Sequence, residues 1–345
     1  MLDGTLVIDA VAHGYNFSPE NSRNPAFSEH LGNMLYFGVH QDLQPQGGRY
    51  VLPREKFFRG TDPEMIAHAF FEESPTDAVV YHEVPVFGLL KDGGSPLWVG
   101  QRMAELYPGR VFWYAAVSPW HPQALEQVDR AAELGARGIK LYPLDFDEGR
   151  MVTFKMNDPH LAYPVFERAR ARGIRNIAIH KAIPLGSVPF EPFRVNDLDQ
   201  AALDFPDLNF EIVHGGFAYL EETAMLLAVF PNIYINLEGA SAFLVRRPEK
   251  FAHILGSFLQ SYGHERIFWA TGCIALHPRP FVEAFWDFQI PPELVERYGY
   301  PPLTPEVKRK ILGENAARAM GIDMEGLRPL CEPRAHYAEP WSRAG

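Results

Sequence analysis

The sequence has little of several features that define protein classes. Its 345 residues contain two cysteines, Cys273 and Cys331, which are too few for a disulfide framework or a cysteine-based zinc site. No apolar run approaches the roughly 20 residues of a membrane span. Acidic residues outnumber basic ones, and the formal net charge is −11. We therefore expect no disulfide scaffold, no membrane partner and no basic stripe for nucleic acid.

The first residues also lack the pattern of a secretory signal. The segment MLDGTLVIDA has no basic stretch and continues directly into a strand-like run. We therefore expect a cytoplasmic protein whose two cysteines are free thiols in a reducing environment. Its expected partner is a small-molecule substrate.

Short apolar runs alternate with stretches of helical period along the whole chain. The runs of strand length cover residues 5–12, 78–82, 111–117, 138–142, 176–180, 210–214, 233–237 and 267–271. Helical patterns cover 62–73, 97–106, 122–134, 160–172, 197–203, 219–229, 248–262 and 305–320. This alternation predicts a single (β/α)8 barrel, a TIM barrel, over residues 1–322, and a C-terminal tail over 323–345.

Two connections are too long for ordinary barrel loops. Residues 14–60 follow the first predicted strand, and residues 275–304 follow the last one. Both leave the carboxyl end of a strand, where long structured loops form lids or substrate walls. Their aromatic content fits a pocket wall and fits a subunit interface equally well.

Four of the strand-like runs end in a histidine. These residues are His13, His82, His180 and His214. The carboxyl edge of a parallel sheet is where α/β enzymes place their catalytic groups, so the pattern indicates an enzyme. Side chains alternate along a strand, and this alternation also directs Lys140 and Tyr142 toward the lumen of the barrel.

Six segments, in order and at barrel spacing, carry a family resemblance. They read VIDAVAHGYN, GIKLYP, NIAIHKA, NFEIVHGG, RIFWATGC and ILGENAARAMGI. The chain resembles the amidohydrolase superfamily, in the branch that contains aminocarboxymuconate-semialdehyde decarboxylase and the aromatic-acid decarboxylases. The resemblance covers about residues 5–322 and implies a metal-dependent barrel that commonly forms homo-oligomers.

The resemblance also implies a set of site residues. Members of the family hold a metal ion with a His-x-His pair on strand one, a histidine on strand five and an aspartate on strand eight. By this pattern His13 and His180 are metal ligands, and His214 on strand six is the acid/base. Two ligand positions differ from the family pattern, because Val11 replaces the first histidine of the pair and Gly272 replaces the aspartate.

These departures weaken the implied cofactor site. The cofactor is expected to be a divalent transition metal such as zinc, manganese or iron, but catalytic zinc sites normally have three protein ligands. Two neutral imidazoles supply no charge to offset the ion. Some other side chain must then complete the site, and the candidates in reach are Glu238, Glu83, His82, Lys140 and Cys273. Strict alternation turns Cys273 away from the lumen.

The roles of the remaining candidates stay open at this point. Lys140 is either an ammonium that holds a substrate carboxylate or, as the superfamily resemblance allows, a carbamylated lysine ligand. Glu238 is either part of the site or the ion-pair partner of Arg246 or Arg247. We assign catalysis to three side chains, and these are His214, Glu238 and Lys140. We assign substrate binding to three others, which are His82, Tyr142 and Glu83. We expect His277 to be a surface or loop residue.

Three functions are compatible with these residues. The first is a metal-dependent hydrolase of a small cyclic or aromatic substrate, in which His214 deprotonates the metal-activated water or protonates the leaving group. The second is a non-oxidative decarboxylase, in which a cation grips the substrate carboxylate while a histidine protonates the ring carbon. The third is an inactive barrel that binds a ligand or only forms an oligomer.

Overall fold

A computed structural model describes residue 2 and residues 4–261, 263–330 and 336–344. Within these residues, eight parallel strands form one sheet in chain order. They are β1 (Ile8–Ala12), β2 (Ala78–His82), β3 (Val111–Ala116), β4 (Gly138–Leu141), β7 (Asn176–His180), β8 (Asn209–Val213), β9 (Ile233–Asn236) and β10 (Ile267–Phe268). An antiparallel hairpin follows β4 and consists of β5 (Leu144–Asp147) and β6 (Arg150–Thr153).

The two edge strands of the sheet meet and close it into a barrel. The backbone N–H of Ala10 donates to the carbonyl of Trp269, and Ala12 pairs in parallel with Cys273. The buried carboxylate of Asp9 accepts hydrogen bonds from both the N–H and the hydroxyl of Thr271, which follows β10. These contacts confirm the predicted (β/α)8 barrel.

Helices fill the connections between the strands. They are α1 (Pro25–Leu35), α2 (Arg54–Phe58), α3 (Pro63–Phe71), α4 (Leu97–Leu106), α5 (Ala124–Glu133), α6 (Ala162–Ala171), α7 (Leu198–Asp204), α8 (Leu220–Val229), α9 (Phe243–Arg246), α10 (Pro248–Gln260), α11 (Pro278–Asp287), α12 (Pro292–Tyr298), α13 (Pro305–Arg309), α14 (Asn315–Met320) and α15 (Met324–Leu327). Single π-helical turns cover Tyr36–Gln41 and Lys310–Glu314. Each predicted helical stretch contains a helix, and Tyr262 and Cys331 lie outside the described residues.

The alternation of side chains along the strands separates two buried layers. Ile177 and Ile179 pack in a large cluster with residues of the surrounding helices, such as Val165. Ala178, between them in sequence, packs instead with Val80 and Phe268 from other strands. The predicted division between helix-facing and lumenal residues of this strand is therefore confirmed. No helix in the described part of the chain combines the length and apolar character needed to cross a membrane.

The end of the described chain is tied to the barrel by a buried carboxylate, Glu73. It accepts hydrogen bonds from the backbone N–H groups of Trp341 (2.7 Å) and Ser342 (2.8 Å), from the Ser342 hydroxyl (2.7 Å) and from Nε2 of His277 (2.9 Å). His277 lies in the loop before α11, which agrees with one of the two predicted alternatives, but it has no exposed surface and is not a surface residue. The connection after β10 places the ring of His277 in the interior, where it contacts Glu73. The sequence around His277 gives no sign of this distant partner.

Replacement of Glu73 by glutamine is expected to destabilise the fold by about 2–4 kcal/mol, because an amide cannot accept from all these donors. Burial opposes the charge of Glu73, but the hydrogen bonds from His277 and Ser342 outweigh it and hold its pKa below the ordinary value. This stabilisation is present above the unfolded-state pKa of about 4.3 and is lost as the pH falls through the lower folded-state pKa.

Urea denaturation across this pH range measures both effects. The control is Glu249→Gln, which changes an exposed glutamate at the start of α10. Equal stability of the two variants at pH 7 would show that the Glu73 contacts contribute nothing.

Candidate active site

A pocket of about 760 Å3, including its mouth, opens at the carboxyl end of the barrel. It brings together five of the predicted site residues, and these are His13, Tyr142, His180, His214 and Glu238. They come from the ends of β1, β4, β7, β8 and β9, so residues distant in sequence converge as the strand pattern predicted. The wall includes Leu31, Met34 and Leu35 of α1, which assigns part of the long connection 14–60 to the pocket.

His13 forms a buried pair with Glu238. Its Nδ1 lies 3.1 Å from the backbone carbonyl of His82, which requires a proton on Nδ1. Its Nε2 lies 3.2 Å from Oε1 of Glu238. Because both partners only accept, His13 holds this carboxylate oxygen as an ion pair, with a proton on each ring nitrogen.

His180 and His214 form a second pair, in which the hydrogen bonds fix both tautomers. Nε2 of His180 lies 2.6 Å from the carbonyl of Ile183 and must donate to it, so Nδ1 of the neutral ring is an acceptor. That nitrogen lies 3.0 Å from Nε2 of His214, which must then carry a proton. The remaining nitrogen of a neutral His214, Nδ1, consequently has a free lone pair.

The backbone at His214 has an unusual conformation. Its φ is 66°, and the φ angles of Gly215 and Gly216 are also positive, at 59° and 56°. The left-handed region costs a non-glycine residue roughly 1–2 kcal/mol, so the histidine is strained where a glycine would not be. Strain of this kind is concentrated at functional positions, where the surrounding structure maintains it.

Glu238 occupies the space beside Gly272, the position where the family has an aspartate. A Cβ atom on Gly272 would lie 2.7 Å from Oε1 of Glu238, closer than real Cβ contacts allow. The end of β9 thus supplies a carboxylate beside the position where β10 lacks one. Glu238 does not pair with Arg247, which instead contacts Asp42 at 2.9 Å.

We expect Gly272→Ala to reduce turnover by at least about tenfold, because the added methyl group must displace the carboxylate of Glu238. The control is Gly135→Ala, whose φ of +70° nearly equals the +67° of Gly272 but whose Cβ would meet no atom within 4 Å. Both variants place an alanine at a positive φ, which costs each about 1–2 kcal/mol of stability. Equal rates for the two variants would contradict the close contact with Glu238.

The charge of Glu238 is stabilised by its surroundings. Burial opposes ionisation, but the interactions with His214, His13 and Lys140 outweigh it, and the pKa of Glu238 is held well below its ordinary value. Burial lowers the pKa of His214 to about 4. At neutral pH the site therefore contains a carboxylate beside a neutral imidazole.

Two acceptor atoms of this pair have no donor among the described residues. They are Nδ1 of His214 and Oε2 of Glu238, which are both buried and lie 3.6 Å apart. Each has a lone pair and no proton. One donor molecule beside them, such as water, can give a hydrogen bond to each.

Lys140 lies in the lumen and does not line the pocket. It is fully buried, and its Nζ has no hydrogen-bond partner in the described part of the protein. Burial lowers the pKa of Lys140 to about 8, although the negative charges of Glu238 and Glu211 act against this shift. Its Nζ lies 5.4 Å from the centre of the Tyr142 ring. Glu211, in the middle of β8, was not selected from the sequence because it does not end a strand.

The structure does not bring His82 or Glu83 to the pocket. His82 is fully buried and stacks on Tyr114, with ring centres 4.6 Å apart. Glu83 turns to the neighbouring strand, where it accepts a hydrogen bond from the N–H of Ala116 at 2.8 Å. Their assignment to substrate binding rested on strand-end positions alone, and neither side chain lines the pocket.

The donors present do not fit the four-ligand metal site that the family resemblance implies. Among the described residues, no group of three or more His, Cys, Asp or Glu side chains is arranged to hold a metal ion. His13 and Glu238 supply one pair of ligand atoms. His180 uses both ring nitrogens in hydrogen bonds, and Val11 packs in an apolar cluster. The chemistry of the site is therefore derived from its side chains.

Comparison with known proteins places the chain in a family. A family model described as Amidohydrolase matches residues 41–322. This range begins after β1 and therefore includes Gly272 but not Val11. No curated protein matches the chain.

Several solved structures share the fold. An uncharacterised TIM-barrel protein from Bordetella bronchiseptica has 19% identity and a TM-score of 0.61, with 91% of this chain and 98% of that chain covered. A 5-carboxyvanillate decarboxylase from Novosphingobium aromaticivorans, with bound manganese, has 15% identity and a TM-score of 0.57, with 92% and 97% covered. A probable 2-pyrone-4,6-dicarboxylic acid hydrolase from Acinetobacter baumannii has 14% identity and a TM-score of 0.54, with 91% and 99% covered.

At these identities the solved structures show the fold alone. The family model carries more weight, because it spans most of the barrel, including the strands that end in His180, His214 and Glu238. The resemblance found in the sequence is confirmed. The chain belongs to the amidohydrolase family of enzymes.

Proposed function

We propose that the protein is a hydrolase that activates a water molecule between His214 and Glu238 for attack on a small substrate. The observation that carries this proposal is the pair of unpartnered acceptors, Nδ1 of His214 and Oε2 of Glu238, 3.6 Å apart and buried at the pocket. A site that activates water needs such an acceptor for its proton. The family name and the probable pyrone hydrolase among the structural neighbours are consistent with hydrolysis.

The reaction follows from the tautomers of the histidines. Water donates one hydrogen bond to Nδ1 of His214 and the other to Oε2 of Glu238. As the water oxygen bonds to the electrophilic carbon, its proton passes to His214, and the imidazolium is stabilised by the adjacent carboxylate. His214 then returns the proton to the leaving group as the scissile bond breaks. General acid/base catalysis of this kind contributes roughly 10²–10⁴-fold in rate.

The neighbouring residues hold this pair in position. His180 accepts from Nε2–H of His214 and is itself anchored to the carbonyl of Ile183. His13 contacts the other oxygen of Glu238. These contacts orient both bases before the substrate binds, and such preorganisation is a large part of the catalytic effect in enzymes.

A divalent metal is supported by the manganese in the 5-carboxyvanillate decarboxylase structure. The donor set of this chain does not fit such a site, and the proposed steps use none. We therefore expect the purified protein to contain less than about a tenth of an equivalent of transition metal and to keep its turnover after treatment with a chelator. Elemental analysis and rate measurements test this. A stoichiometric metal whose removal abolishes turnover would contradict the proposed water activation.

Non-oxidative decarboxylation is the second candidate function. The observation that favours it is Lys140, a buried ammonium without a hydrogen-bond partner in the described residues. The absence of Lys140 from the pocket lining and the neutral state of His214 both count against this function, because the reaction needs a cation at the substrate carboxylate and a proton donor at the ring carbon.

One experiment separates the two candidate functions. Uncharged esters, lactones and amides are assayed for hydrolysis, and hydroxylated benzoates are assayed for release of carbon dioxide. Hydrolysis without carbon dioxide release supports the proposal, and the reverse result refutes it. If the protein turns over neither set of compounds, both functions are refuted for these compound classes.

A further inference from the structure

The described lining of the pocket carries no lysine or arginine side chain. Among the residues described around it, most are apolar, and none is lysine or arginine. Its polar members are three histidines, two tyrosines, Thr271 and Glu238. The Thr271 hydroxyl is already committed to Asp9. The negative charge of Glu238 is already paired with His13, and the described lining has no lysine or arginine to pair with a substrate anion.

This distribution of charge selects against an anionic substrate. Lys140 has no exposed surface and does not reach the lining. A substrate carboxylate in the pocket would lose its hydration without gaining a cationic partner, and it would face the carboxylate of Glu238. Burying an unpaired charge costs several kcal/mol, so the lining suits an uncharged, mainly apolar molecule.

Two tyrosine hydroxyls are available to orient such a molecule. Tyr15 stacks on His13 with ring centres 5.2 Å apart, and Tyr142 stacks on His180 with ring centres 4.3 Å apart. Both residues are buried and both line the pocket. Neither hydroxyl has a hydrogen-bond partner among the described residues, so both are available as donors.

A third tyrosine of the same region shows the contrast. The Tyr81 hydroxyl lies 2.7 Å from the Ser95 hydroxyl and accepts a hydrogen bond from the N–H of Gly14 at 3.1 Å. Its hydrogen-bonding capacity is used within the protein, and it does not line the pocket. Of these three tyrosines, Tyr15 and Tyr142 therefore keep free hydroxyls, beside the positioning residues His13 and His180.

We propose that the substrate is an uncharged, mainly apolar carbonyl compound whose carbonyl oxygen accepts hydrogen bonds from Tyr15 and Tyr142. This inference rests on the proposed hydrolase function and names its substrate class. When the water oxygen bonds to the carbonyl carbon, the electron pair of the C=O bond moves onto the oxygen, where both hydroxyls donate to it. The pair re-forms the C=O bond as the leaving group departs with the proton from His214.

The first test is a binding measurement that does not depend on turnover. Dihydrocoumarin is the uncharged probe, its 6-carboxylate is the charged probe, and the corresponding lactams are their non-hydrolysed analogues. Isothermal titration of the lactams into the wild type and His214→Ala is expected to show at least about tenfold tighter binding of the uncharged compound. Equal or tighter binding of the carboxylate, or no binding of either lactam, overturns the substrate class.

The second test concerns the two hydroxyls. With dihydrocoumarin, Tyr15→Phe and Tyr142→Phe are each expected to lower kcat by roughly 10–100-fold with a smaller change in KM, because the donors act on the developing oxyanion. The control is Tyr163→Phe, on α6 outside the pocket. Wild-type kcat in both tyrosine variants overturns their role. Tight lactam binding without hydrolysis of dihydrocoumarin leaves the substrate class supported and counts against the hydrolase function and the tyrosine role.

Discussion

Replacing His214 with alanine is expected to lower turnover by about 10²–10⁴-fold while the barrel stays folded. In the proposed mechanism, His214 accepts the proton from the water and then returns it to the leaving group. The alanine variant can do neither. The backbone should tolerate it, because alanine at a φ of 66° carries the same strain as histidine. The ring is part of the pocket lining, so its loss opens space without breaking the barrel sheet.

Steady-state rates with the hydrolysed substrate measure this loss, and circular dichroism and thermal denaturation check the fold. The matched control is His160→Ala, which removes an exposed histidine before α6. The control should keep the wild-type rate. Near wild-type turnover in His214→Ala would remove the acid/base assignment and the proposed mechanism with it.

Replacing Glu238 with glutamine is the second change with a large expected effect. Glutamine keeps the shape of the side chain but loses its charge and one acceptor position, so water is no longer held between two bases. We expect kcat to fall by at least about 10²-fold. The imidazolium that forms on His214 also loses the carboxylate that stabilises it, which raises the barrier of the same step.

The stability of this variant separates a catalytic role from a structural one. His13 and Lys140 lose a negative neighbour, so a modest destabilisation is expected in addition to the rate loss. Glu249→Gln serves again as the control, and rates should be compared under conditions where each protein keeps about 3 kcal/mol of stability, so that roughly 99% of it is folded. A folded Glu238→Gln protein with the wild-type kcat would show that the carboxylate takes no part in water activation.

Much of the barrel and part of the site could be predicted because they depend on local patterns. Three apolar runs of strand length end in His13, His180 and His214. These runs predicted both the positions of the strands and the convergence of the three rings at one edge of the barrel. Glu238 could be selected for the same reason, since it lies just past the end of a strand. These residues share one edge by the geometry of parallel strands, whatever else surrounds them.

Other features depend on contacts between distant segments and have no local signal. His82 ends a strand like the other histidines, yet it packs against Tyr114 below the pocket. Tyr15 acquires its position only when the connection after β1 folds over His13. The tight contact between Glu238 and Gly272 joins two strand ends that are 34 positions apart in the chain, as their numbers show. The predicted homo-oligomer and cytoplasmic location stay predictions.

The hydrogen bonds of Trp341 connect Glu73 to the wall of the pocket. The Trp341 indole donates to the carbonyl of Tyr50, and its ring lies near His40, in the connection that also forms the pocket wall. A change that breaks these contacts of Trp341 would therefore also disturb the segment that shapes the substrate cavity.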